Sequence, residues 1–379
     1  MAPDYRPEFA DFEGFAYLNT SYQCPLPLAA VRAAEEALQW KAHPYRLTRE
    51  DHFDLPDRAR DKIGRLIGAD ADEIAITTGT SAGLAAIAAG IDWHPGDEVL
   101  IARGEFPAHF STWLSFERAE KLKMRIFAPR GRFVTAADYI ENIGPRTRVV
   151  SASFVRFDDG ARLDAAPVAA ACRKVGAALA LDLSQAAPAI PISVRELGAD
   201  FAVCSGYKWL LGPYGTGFFW VRRESTEMLK TGPIYFMALE GARDFHALPL
   251  ENLRPVPGAR RWDSAETASF TNLAALDASL DLLLRTGVPA LERHNHELIA
   301  QLIAELPKDK YSLASPAEAE RRGPYVCIAA CTPEETTQCY EKLQAAKVMV
   351  SLRENALRIS PYIFNTSADM DRLLEVLAS

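Results

Sequence analysis

The chain has 379 residues, with 42 Lys and Arg against 50 Asp and Glu, for a formal net charge of −8. That length favours two domains over one undivided core, and an acidic balance with no Lys/Arg run argues against a nucleic acid or an anionic membrane as partner. No apolar stretch approaches the about 18–20 residues that span a bilayer, and the start, MAPDYRPEFADFEGF, lacks a basic-then-apolar leader pattern, so a cytoplasmic protein is expected.

Over the first two-thirds, short apolar runs alternate with helix-like stretches. The runs are Ile74–Thr77, Val99–Ala102, Met124–Phe127, Val149–Phe154, Ala178–Asp182, Phe201–Cys204 and Gly217–Val221. They are apolar at consecutive positions, as in strands of a mainly parallel sheet covered on both faces. Helical segments fall between them, among them Ser81–Gly90 and Ala165–Val175. The expectation is a doubly wound α/β domain over residues 20–285, with a seven-stranded sheet. Gly232–Arg261, with Pro233, Pro249, Pro255, Pro257 and Gly258, reads as an ordered loop, and loops of that length are more often functional than idle.

Helices are expected at Leu273–Arg285 and Val288–Leu306. The pattern then changes: strand Tyr325–Ala330, a helix Pro333–Ala346 capped by Thr332, strands Val348–Leu352 and Leu357–Ser360, and a helix over Ala368–Leu377. This reads as a smaller α+β domain over 286–379, with residues 1–19 packing on it. The six cysteines, Cys24, Cys172, Cys204, Cys327, Cys331 and Cys339, form no C-x-x-C pair, and no histidine completes a zinc pattern, so reduced thiols and no metal are expected.

Four segments carry chemistry, and their joint order is the signal. Thr77-Thr78-Gly79-Thr80-Ser81-Ala82-Gly83 lies at a strand-to-helix turn, where small residues and free N–H groups suit an anion; an ordinary capped helix gives the same pattern. Asp182 ends an apolar strand, where a bare carboxylate is costly unless paired. Such a carboxylate can hold a pyridinium N–H or merely cap the next helix, and Gln185 follows three residues on. Lys208, in Cys204-Ser205-Gly206-Tyr207-Lys208-Trp209, directly follows a buried strand. Shelter lowers a lysine's pKa, and only the neutral amine attacks an aldehyde. Arg358, between Leu357 and Ile359, carries a fork suited to a carboxylate, although a surface arginine on a strand looks the same.

From Asp182 to Gly217 these residues resemble the class V aminotransferase family, the fold-type I pyridoxal-5'-phosphate (PLP) enzymes that include cysteine desulfurases, isopenicillin epimerase-like proteins and kynureninases. The likeness extends from Tyr17-Leu18-Asn19-Thr20 to Pro361-Tyr362-Ile363-Phe364-Asn365-Thr366. It implies PLP as cofactor, joined to Lys208 as a Schiff base, with Asp182 on the ring nitrogen and Gln185 on the phenolic oxygen. Gly79, Thr80, Ser81, Ser205 and Tyr207 would bind phosphate, with Tyr207 standing where many members carry His. Phe106 would stack on the cofactor, unless it is a core phenylalanine. Thr267 would reach the phosphate of a neighbouring subunit, which implies a homodimer with shared sites. Arg358, with Asn19 nearby, would bind the substrate. Desulfurases carry a nucleophilic cysteine on a mobile loop before that arginine; here Val350-Ser351-Leu352-Arg353-Glu354-Asn355-Ala356 has none, which argues against that chemistry. The expected activity is transamination of a small amino acid, with a PLP lyase (C–S lyase) or epimerase as alternatives. Tyr22 and His109, and Tyr235, Phe236, Arg243 and His246 in the long loop, are further candidates for setting specificity. A nicotinamide oxidoreductase is disfavoured by the missing Gly-x-Gly-x-x-Gly turn.

Overall fold

The computed structural model describes residues 4–244, 246, 251, 253–267 and 269–379. Pro249, within the expected long loop, lies outside the described residues.

A seven-stranded sheet forms the centre, in the spatial order Ile74–Thr77, Gly217–Val221, Phe201–Ser205, Ala178–Asp182, Thr147–Ser153, Glu98–Ala102 and Lys123–Phe127. Every neighbouring pair is parallel except the two made by Gly217–Val221. The five strands from Ile74–Thr77 to Thr147–Ser153 in that order are buried almost throughout, as consecutive apolar residues require when helices cover both faces. The edge strand Lys123–Phe127 is largely exposed, so its apolar residues are a weaker guide.

Helices Leu28–Ala42 and Phe270–Thr286 pack on each other, and Asp51–Ile67 packs on the second of them. The sequence reading gives no element to residues 28–67. Pro56 inside Asp51–Ile67 costs one helical hydrogen bond, yet burial of Phe53, Ala59, Ile63 and Ile67 on one stripe holds the helix together. Helices Ala108–Arg118 and Ala136–Asn142 and the strand Tyr311–Leu313 are likewise additions to the reading.

The smaller unit is a four-stranded antiparallel sheet in the order Ser351–Arg353, Ala356–Ile359, Val326–Ala330 and Tyr311–Leu313. Helices Pro333–Ala345 and Ser367–Ala378 supply residues to its core. The stretch expected as one strand over Val348–Leu352 is broken. Val348–Met349 pairs in parallel with Ala16–Tyr17, and the chain then joins the antiparallel sheet at Ser351. The presumed loop before Arg358 is a tight hairpin whose two turn residues, Glu354 and Asn355, have φ of 46° and 65°. Those angles suit a two-residue turn matching the twist of its strands.

Gly217 opens its strand against the phosphate-loop candidate. A Cβ there would run into the Cys204 carbonyl and come 2.7 Å from the Gly79 Cα. Backbone would have to move to admit it. Gly217→Ala is therefore expected to lower stability by about 1–3 kcal/mol, read from the midpoint of urea unfolding, and an unchanged midpoint would show that this contact is loose.

Candidate active site

The segments carrying Gly79, Asp182 and Lys208 lie at the carboxyl ends of strands of the large sheet, where open α/β sheets bind ligands, and Arg358 comes from the smaller sheet. They enclose two adjoining chambers of about 350 and 460 Å³ that share Phe106, Tyr207, Lys208 and Tyr214.

The inner chamber is lined by Gly79, Thr80 and Ser81 on one side and by Asp182 and Ser205 on the other. Helix Thr80–Gly90 begins here with no side-chain cap; the Thr80, Ala82 and Gly83 amides already have acceptors, and the Ser81 amide is left to meet a ligand. Gly79 has φ of +143°, a conformation side chains rarely adopt, and a Cβ there would sit 3.2 Å from the Ser205 Oγ. The Thr80 amide donates to that hydroxyl at 3.2 Å, and the Thr80 Oγ1 lies 2.6 Å from Ser184 Oγ. The result is a bare, hydroxyl-rimmed cradle suited to an anion.

Asp182 is buried at the foot of this chamber. Its Oδ1 accepts from the Ser184 amide at 2.8 Å, and its Oδ2 lies 3.7 Å from His109 Nε2. Burial alone would raise its pKa. The facing His109, the Ser184 bond and the Lys208 charge outweigh that and hold it below the usual carboxylate range. His109 is itself fully buried, with Nδ1 2.8 Å from Ser151 Oγ. Burial opposes its charge, yet Asp182 and Glu105 together raise its pKa. The sequence reading places His109 among groups that select substrate; the structure places it behind Asp182, away from both chambers. Its sequence signal, three residues after Phe106, shows only once the helix Ala108–Arg118 is known.

Lys208 stands where the chambers meet. Its Nζ lies 5.4 Å from the Phe106 ring centre and 5.6 Å from that of Tyr207. Burial lowers its pKa from 10.5 to about 8, with Asp182 pulling the other way and Arg358 adding to the fall. Gln185 lines the outer chamber, donating to the Ser21 carbonyl at 2.9 Å and accepting from Trp209 Nε1 at 3.0 Å. One of its two amide hydrogens stays available. Phe106 meets Phe157 edge to face. Arg358 is 2 % exposed, donates to the Phe157 carbonyl at 2.7 Å and has no carboxylate partner among the described residues; its Nε makes no hydrogen bond. Burial pushes its pKa down, a sign of a cation held dry.

Two named residues lie outside the chambers. Asn19 accepts from Ser351 Oγ at 2.6 Å, and Thr267 donates to the Ser264 carbonyl at 2.5 Å. The long-loop candidates are elsewhere too: Tyr235 faces Glu266, and Arg243 pairs with Asp57. Sequence reasoning gave no role to Arg353, Phe157, Tyr214 or Gln23, all of which line the outer chamber with Tyr22. Phe157, Tyr214 and Gln23 arrive on turns and loops and Arg353 at a strand end, and where each points depends on tertiary packing.

Two relatives match nearly end to end. The uncharacterized aminotransferase YcbU of Bacillus subtilis is 24% identical over 100% of this chain and 98% of its own length. The kynureninase of Xanthomonas oryzae pv. oryzae is 29% identical over 91% of this chain and 86% of its own. Among solved structures, the apo cysteine desulfurase of Thermococcus onnurineus superposes with a TM-score of 0.84 at 20% identity, covering 99% of this chain and 97% of that one, which establishes the shared fold. The family model for aminotransferase class-V matches residues 24–373. Covering the whole seven-stranded sheet, the inner chamber and most of the small unit, that match makes the chain a member of the class V aminotransferase family and a PLP-dependent enzyme.

Proposed function

We propose that this protein is an aminotransferase, working at the α-carbon of an amino acid with Lys208 as its base. The residues present fit the cofactor. The cradle at Gly79 would be filled by a Cβ, and with Thr80, Ser81, Ser205 and Tyr207 it suits a phosphate. Asp182, held ionised by His109, would keep a proton on the ring nitrogen. Gln185 has a hydrogen left for the phenolic oxygen, and Phe106 would cover one ring face. When bound, PLP supplies an electron sink for the charge left at the substrate's α-carbon.

The chain's own groups do the rest. Arg358 binds the α-carboxylate and turns the α-hydrogen toward Lys208. Phe106 and Phe157 keep water from the reacting carbon. Lys208 takes the proton as a neutral amine and returns it at the neighbouring carbon.

One observation carries the choice of reaction. Among the described residues lining the outer chamber, Lys208 is the only amine, and none is a carboxylate, an imidazole or a cysteine. Persulfide chemistry needs a thiolate, and epimerisation through two bases needs a second proton carrier on the far face, for which the outer chamber offers only the phenols Tyr22, Tyr207 and Tyr214. Cys327, the nearest in register to Arg358, is buried against the Asp158 carbonyl, with its pKa pushed up to about 12 by burial. Elimination uses the same lone base and is the second reading.

The test is a single-turnover experiment. Mixing the holoenzyme with single amino acids should convert the cofactor to its amine form and release the matching keto acid. Ammonia or sulfide instead would establish elimination, a racemised amino acid epimerisation, and no reaction with any amino acid would defeat the proposal. Uptake of PLP by the apoprotein should speed up as pH rises toward about 8 and then level off, because the reactive form is the neutral amine. A rise continuing to the ordinary lysine range, about 10.4, would show an amine in open water.

The same reading takes residues 20–285 as the PLP-binding domain and 286–379 as the smaller one, with 1–19 docked on the latter through the Ala16–Tyr17 strand. It also takes the enzyme as a cytoplasmic homodimer in which Thr267 serves the partner's site.

A further inference from the structure

The outer chamber holds one more cation than a simple amino acid can satisfy. Strands Ser351–Arg353 and Ala356–Ile359 pair with Ser351 opposite Arg358 and Arg353 opposite Ala356. Opposed residues share a face, so Arg353 and Arg358 lie on the same side as diagonal neighbours, with backbones about 7–8 Å apart. The two-residue turn at Glu354 and Asn355 fixes that spacing. Both arginines line the chamber, together with Lys208, and among the described residues no aspartate or glutamate lines it. Arg353 is half-buried, and neither arginine has an ion-pair partner among the described residues.

Resting on the reading above, which assigns Arg358 to the α-carboxylate, we propose that Arg353 binds a second carboxylate. The preferred substrate is then an amino dicarboxylic acid. A neutral amino acid brings one carboxylate and leaves Arg353 facing solvent with nothing gained. A dicarboxylic acid brings a negative charge to each guanidinium, and the diagonal placement puts both on one side of the same chamber. The flanking Tyr22 and Gln23 supply further polar contacts at the chamber mouth. Charge-assisted forks of this kind are among the stronger polar contacts, so discrimination of roughly 10- to 100-fold is expected.

Two measurements on the holoenzyme test this. Calorimetric binding of succinate and glutarate is compared with butyrate, and single-turnover conversion by L-aspartate and L-glutamate is compared with L-alanine and L-norvaline. The dicarboxylates should win in both, and Arg353→Gln should erase their advantage, raising the KM of the dicarboxylates far more than that of the neutral compounds. Equal binding of dicarboxylate and monocarboxylate, or an Arg353→Gln protein that keeps the preference, overturns the proposal. If only neutral amino acids are converted, the aminotransferase reading stands and this one falls. If dicarboxylates bind selectively through Arg353 but no amino acid is converted, the second acid site stands and the reaction assignment falls.

Discussion

Lys208→Ala is expected to purify folded, to lack the visible absorbance of the bound cofactor and to lose activity by roughly 1,000-fold or more, since both the covalent anchor and the proton carrier are removed. Folding should not suffer. Burial holds the native amine at about 8 against an ordinary 10.5, so the unfolded chain binds the extra proton between those values. Stability of the wild-type apoprotein should therefore rise with pH through that window, and the penalty is fully developed below it, at about 3 kcal/mol. The alanine protein should lose this slope and be the more stable of the two near neutrality. Retained colour in Lys208→Ala, or an unchanged pH slope, would place the reactive amine elsewhere.

Asp182→Asn should behave differently. Asparagine fills the same space and still accepts from the Ser184 amide, so the protein should fold and bind PLP with its colour retained. What is lost is the negative charge beside the ring nitrogen. The rate constant should fall by about 100- to 1,000-fold, with KM little changed, as for other losses of preset electrostatic stabilisation. His109 should report the loss independently: without the carboxylate its raised pKa should fall, visible in its ring NMR signals. A histidine signal indifferent to the substitution would break the link drawn between these two groups.

The central strands are legible in the sequence because their surroundings are uniform. Runs such as Ala178–Asp182 and Phe201–Ser205 are buried on both faces, so composition alone marks them. Lys208, Asp182 and the Gly79 turn are legible for a related reason: charged or strained residues next to such strands have few bland explanations. The helix containing Pro56 is not legible, because its stability comes from burial against distant helices rather than from local preference. Arg353 is visible as a letter but not as a function. Its alignment with Arg358 depends on a hairpin whose turn, Glu-Asn with both φ positive, lacks the Asn-Gly signature that announces such turns. His109 is hidden by the same logic, since only the helix after Phe106 shows which way it faces.

The parallel pairing of Ala16–Tyr17 with Val348–Met349 sets an order of events during synthesis. Ala16 and Tyr17 must wait, unpaired, until a segment more than three hundred residues downstream has been made, because their hydrogen-bonding partner lies there. Ser21, Tyr22 and Gln23 follow directly on that segment, and Arg353 and Arg358 directly follow its partner. Nascent chains that lack residues 348–358 should therefore capture no substrate at all: the cofactor cradle can form early, but the mouth above it closes only once that segment has been made.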